Sequence, residues 1–141
     1  IVMLMHQPLI WINDNCKLPN ERISKKILNA KKISDKLCNK TPLIKIKENI
    51  YLKEESKQIT NSFKLRGVSY SVYLEFEKFI TLLKKGKIFS QYSMVTQSTG
   101  NHGISSIYSI IHFIKEYSKK YPIFKNQLNK IQPVIYGNVM I

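Results

Sequence analysis

The chain is predicted to be an α/β protein built on a parallel sheet. Three observations predict this. Apolar residues recur at helical steps in three long stretches, short runs rich in β-branched residues lie between them, and the two kinds alternate along the chain.

The first helix is predicted over 21–40. Ile23, Ile27, Ala30, Ile33 and Leu37 fall on one face and lysines fill the other, with Thr41-Pro42 as the stop. LIKIKENIYLK, residues 43–53, reads as two short strands or one hairpin interrupted at Asn49. EESKQITN is a polar loop. A second helix runs from Ser62, a candidate N-cap, to about Lys85, with Val68, Val72, Phe76, Phe79, Leu82 and Leu83 inward and Gly86 closing it. Residues 91–96 form a strand. QSTGNHG leads from it into a third helix, whose core stripe is expected to be Ile104, Ile107, Ile111, Ile114 and Tyr117. KKYPIFKNQLNK is a polar connection, and PVIYGNVMI a last strand broken at Gly137-Asn138.

A length of 141 residues suits one domain with a real core. The expected division is an N-terminal extension over 1–20 and a catalytic-domain portion over 21–141. Ile1 in place of a methionine, and an apolar run at the other end, read as the ends of a piece of a longer protein. The net charge of +14 comes from 21 Lys and 2 Arg against 9 acidic residues. Nucleic-acid readers favour the arginine fork. These lysines are spread along the chain without a block, so a solvated surface is expected and no specific nucleic-acid partner. Cys16, Cys38, His6, His102 and His112 lack metal-site spacing, and no metal is expected. Two cysteines do not make a disulfide scaffold, which favours a reducing, cytoplasmic setting. No apolar run reaches the ~20 residues of a membrane span.

Two strand-to-helix loops have unusual composition. In the first, Ser62-Phe63-Lys64, a lysine stands where the helix dipole disfavours positive charge. With partial burial the neutral amine would be favoured, and a neutral amine attacks aldehydes. The alternative is one more surface lysine. In the second, Ser98-Thr99-Gly100-Asn101-His102-Gly103, glycines permit close approach and the following helix offers free N–H groups to an anion. The alternative is an ordinary capped turn.

Together the loops resemble a known family. KEESKQITNSFKLRG, followed some thirty residues later by TQSTGNHG, is similar to the pyridoxal-phosphate enzymes of fold type II, in particular the L-serine/L-threonine dehydratases with serine racemase. Lys53, Glu55, Gln58, Thr60, Ser62, Phe63, Lys64, Arg66 and Gly67 match the family's first motif. Ser98, Gly100, Asn101, His102 and Gly103 match its second, and Thr41-Pro42-Leu43 stands where the family has TPL. The resemblance spans roughly residues 23–112. It implies the N-terminal portion of a three-layer open parallel sheet of the tryptophan synthase β type. It also implies a pyridoxal 5'-phosphate cofactor, a small amino-acid substrate, and a homodimer at full length. Lys64 would hold the cofactor covalently and act as the base at Cα. Asn101 would bond the cofactor's ring hydroxyl, Phe63 would pack beside the ring, and Ser98, Thr99, Gly100, Asn101 and His102 would form the loop around the substrate carboxylate. The implied activity is β-elimination giving a 2-oxo acid and ammonia. Racemisation, another fold type II lyase reaction, or a non-catalytic binding module are the alternatives.

Three departures qualify it. Asn61 replaces a glycine, and Asn is the next best residue for left-handed backbone. Thr99 stands where racemases have serine. The family's tetraglycine phosphate loop, and its Ser or Cys opposite the pyridine nitrogen, have no counterpart here; the chain has five glycines and no two are adjacent.

Overall fold

The computed structural model describes residues 21–137. The expected extension over 1–20, and the last strand beyond Gly137, lie outside the described residues.

Helix α1 spans Glu21–Leu37. Strands β1, Leu43–Lys47, and β2, Ile50–Lys53, pair antiparallel as a hairpin. Asn49, at φ 61°, supplies the left-handed residue of its turn. A 3-10 turn at Glu55–Lys57 leads to helix α2, Lys64–Lys84. Strand β3, Tyr92–Gln97, precedes helix α3, Asn101–Lys120. A 3-10 turn at Pro122–Phe124 and the four-residue helix α4, Lys125–Leu128, connect to strand β4, Ile131–Tyr136. β4 lies parallel to β3, Tyr92 opposite Ile131 and Gln97 opposite Tyr136. The β3–α3–β4 unit is the crossover that parallel strands require.

The α/β class therefore holds. The sheet differs from the expectation of one open layered sheet: the described residues form two separate two-stranded sheets, one antiparallel and one parallel. The 125–128 helix also differs, standing where a plain connection was expected.

The core lies between α2, α3 and the ends of α1 and β4. Phe76, Phe79, Phe113 and Leu128 are almost wholly buried, with Val72, Leu83, Ile110, Tyr117 and Ile131 around them. Phe76 and Phe113 rings sit 5.7 Å apart, and Phe76 and Tyr117 5.2 Å, in the tilted arrangement aromatic quadrupoles favour.

The expected inward stripe of α3 is corrected. Ile104, Ile107 and Ile111 are exposed, and Ile114 is only partly buried. The buried face is Gly103, Ser106, Ile110, Phe113 and Tyr117, at steps of three and four, flanked by Ser105 and Ser109. Tyr117 is buried as expected, and the bulk of Phe113, which buries more area than an isoleucine, turns the rest of the face. The serines can be buried at little cost because their hydroxyls find acceptors. Ser106 donates to the His102 carbonyl at 2.9 Å and Ser109 to the Ser105 carbonyl at 2.8 Å.

Candidate active site

The stretch before Lys64 is inside out. Gln58, Thr60 and Ser62 are buried, whereas Ile59 and Phe63 are exposed at 45% and 58%. Each buried polar side chain has a definite task. The Gln58 amide accepts from the Asn39 N–H at 2.9 Å and donates to the Asn39 carbonyl at 2.8 Å. Thr60 Oγ1 bonds Ser105 Oγ at 3.0 Å. Ser62 Oγ accepts the Lys64 N–H at 3.2 Å, the local bond that opens α2. Asn61 stands at φ 53°, the left-handed turn that a glycine at this place would take.

Behind the loop lies a charged clamp. Arg66 donates through Nε to Glu55 Oε2 at 3.0 Å and through Nη2 to Oε1 at 2.9 Å, a bidentate pair. Thr41 Oγ1 donates to Glu55 Oε1 at 2.6 Å, and Arg66 also reaches the Asn39 carbonyl at 3.3 Å. Hydrogen bonding from Arg66, helped by Thr41 and Gln58 and opposed by desolvation, lowers the Glu55 carboxyl to about 2. Residues 39–41, 55–58 and 66 are thus one locked unit two residues from Lys64.

Lys64 itself is exposed on the first turn of α2, with its ammonium 4.8 Å from the centroid of the Phe63 ring. The partial burial expected of it is absent among the described residues, and Phe63 beside it is exposed as well. The same placement leaves the amine and an aromatic face together and accessible.

In the second loop Ser98 is a fastener. Its Oγ accepts the Gly100 N–H at 3.1 Å and the Gly103 N–H at 2.9 Å. That holds the loop against the start of α3, and it occupies a hydroxyl expected to face a ligand. His102 Nε2 bonds Thr96 Oγ1 at 3.0 Å. The backbone N–H groups of Thr99, Asn101 and His102 have no acceptor among the described residues, and all three residues are exposed. They are donors at the positive end of a helix dipole, and a carboxylate suits them. Gly103 lets α3 lie close on β4: a Cβ there would meet Ile135 Cδ1 at 3.0 Å and Ser98 Cβ at 3.3 Å.

The structure ties the two loops through the Thr60–Ser105 bond. One turn beyond Lys64 begins a cleft of about 340 Å³, walled by Val68 and Val72 of α2, Met94 and Thr96 of β3, and His102 and Ser106 of α3. The residues present offer a pyridoxal ring an amine, an aromatic neighbour and an amide-rich loop for the substrate's carboxylate. They offer no glycine-rich cradle for the phosphate. Among the described residues no cluster of three His, Cys, Asp or Glu could hold a metal, and no helix is long and apolar enough to cross a membrane.

The inverted burial of Gln58, Thr60 and Ser62 is the feature that reading the residues for periodicity misses. In the sequence Gln58, Thr60 and Ser62 stand out only as members of the first motif, since Lys57 and Asn61 beside them are polar as well.

Compared with protein-family models, with curated proteins and with solved structures, the chain matched none.

Proposed function

We propose that this chain is the N-terminal portion of a fold type II, pyridoxal-phosphate-dependent ammonia-lyase that converts L-serine or L-threonine to a 2-oxo acid and ammonia. The observation that carries the reading is the pairing of an accessible Lys64, following a loop whose Gln58, Thr60 and Ser62 side chains are buried and hydrogen-bonded, with an amide-rich loop at the start of α3. Those are the two features an amino-acid substrate needs: an amine for its α-proton and an anion site for its carboxylate.

The cofactor, when bound, supplies the electron sink that makes the α-proton acidic. The chain's own residues do the rest. Lys64 Nζ would hold the cofactor and would serve as the base that takes the proton from the substrate's Cα. The amides of Thr99, Asn101 and His102 fix the substrate carboxylate, which orients Cα toward the lysine. The Asn101 side chain would bond the ring hydroxyl, and Phe63, whose ring centroid is 4.8 Å from the Lys64 ammonium, would pack beside the cofactor ring. The β-hydroxyl would leave as water with the proton taken from Cα, and the free enamine would tautomerise and be hydrolysed by water to the 2-oxo acid and ammonia.

The uncharged surface around the site supports the reading of the chain as one portion of a larger catalytic unit. Residues 88–114 contain no Lys, Arg, Asp or Glu in a chain of net charge +14. Ile104, Ile107 and Ile111 are exposed on the same stretch. The phosphate cradle and a homodimer partner belong to the rest of that unit, and the setting is cytoplasmic.

Borohydride reduction of the full-length protein with pyridoxal phosphate tests the proposal. A pyridoxyl group fixed on Lys64, and lost in Lys64→Ala, is the expected result. Label elsewhere or nowhere refutes the assignment and favours a binding module without catalysis.

A further inference from the structure

We infer that the Thr60–Ser105 hydrogen bond is the pin that couples the lysine loop to the carboxylate loop, making Thr60 a positioning residue for Lys64.

The bond joins residues far apart in sequence, at 3.0 Å, and both partners are buried, Ser105 completely. Thr60 lies four residues before Lys64, and Ser105 lies one helical turn after Asn101 on the same face of α3. The bond therefore links the two loops directly, in addition to the packing of α2 on α3.

The behaviour of neighbouring serines sets Ser105 apart. Ser106 and Ser109 both return their hydroxyls to the carbonyl four residues back. Ser105 instead turns its hydroxyl out of α3 to Thr60. The fallback acceptor, the Asn101 carbonyl, is one turn away and remains open to it if Thr60 is altered. Loss of the pin therefore need not leave a buried hydroxyl stranded, and the coupling can be removed without unfolding the protein.

The purpose assigned to this coupling rests on the reading of Lys64 as the cofactor lysine; its existence does not. Two substitutions separate hydroxyl from shape: Thr60→Val keeps the volume and removes the bond, and Thr60→Ser keeps the bond. Amide hydrogen exchange reads the pin directly. In Thr60→Val, exchange is expected to quicken about three- to tenfold both at the hydrogen-bonded amides of 58–64 and at those of 103–105, the size of one net hydrogen bond. Thr60→Ser should match the parent protein. The pyridoxal-phosphate concentration that gives half-maximal borohydride-trapped label on Lys64 should rise by a similar factor in Thr60→Val and return in Thr60→Ser. Quickened exchange confined to 58–64, unchanged exchange, or a Thr60→Ser variant that behaves like Thr60→Val overturns the pin. A parent protein that traps no label on Lys64 refutes the enzyme reading, while exchange still decides the pin.

Discussion

At φ 53° Asn61 occupies backbone that most residues avoid, three residues before the lysine on which the proposed function turns. Its departure from the glycine of the similar family carries little penalty, since a short amide side chain tolerates this region. Asn61→Gly is expected to leave stability within a few tenths of a kcal/mol, and Asn61→Ala to cost about 1 kcal/mol, read from thermal or urea melts. Glu55 makes a second prediction. Its carboxyl titrates near 2 in the folded protein, below its ordinary value of 4.5, chiefly because Arg66 bonds the charged form. A lowered folded value means that the unfolded chain takes up the proton first as pH falls. The contribution is then fully present above about pH 4.5 and disappears as the pH drops toward about 2. Glu55→Gln should lower stability at neutral pH by about 1–2 kcal/mol, a figure reduced for the solvent that reaches Arg66. It should also flatten the acid limb of the stability curve. An unchanged acid limb would show that other carboxylates govern it.

The elements were legible where a period was long enough to recognise. α1, α2, the 43–53 hairpin and β3 all lie where alternation and helical spacing place them, within the usual blur at their ends. The inward face of α3 was not legible. Isoleucine at 104, 107 and 111 mimics a core stripe, and nothing in the sequence says that adjacent serines can bond their own helix and go inside. α4 is too short and too polar to announce itself. The contact of α3 with β4 yields a prediction at this scale. Gly103→Ala would press a methyl on the Ile135 side chain at 3.0 Å, so about 1–2 kcal/mol of destabilisation is expected. Ile135→Val removes the Cδ1 atom that is met first and should recover much of that loss in the double variant. Additive losses in a double-mutant cycle would place the strain elsewhere.

Across the whole molecule, charge is distributed unevenly: the Lys64 loop sits beside the Glu55–Arg66 pair, and the second loop lies in a stretch without charged residues. The lysines surround the 88–114 stretch without entering it, so the second loop and the strand leading to it face outward uncharged. The two loops could be singled out ahead of the structure, because each is dense in polar residues and glycine at the start of a legible helix. The parts that hold them in place could not be. Thr60–Ser105 and Gln58–Asn39 join common polar residues across long sequence separations, and only the packing of α2 on α3 brings the first pair together. The same packing puts Lys64 and the Asn101 loop at the starts of neighbouring helices. That arrangement makes a definite claim about one amine among 21 lysines. The most direct test is to reduce the full-length protein with borohydride at limiting pyridoxal phosphate, then map the label by peptide. The account predicts that Lys64 takes most of it and that Lys64→Ala abolishes it. A label shared evenly among surface lysines, undiminished in Lys64→Ala, would contradict the account.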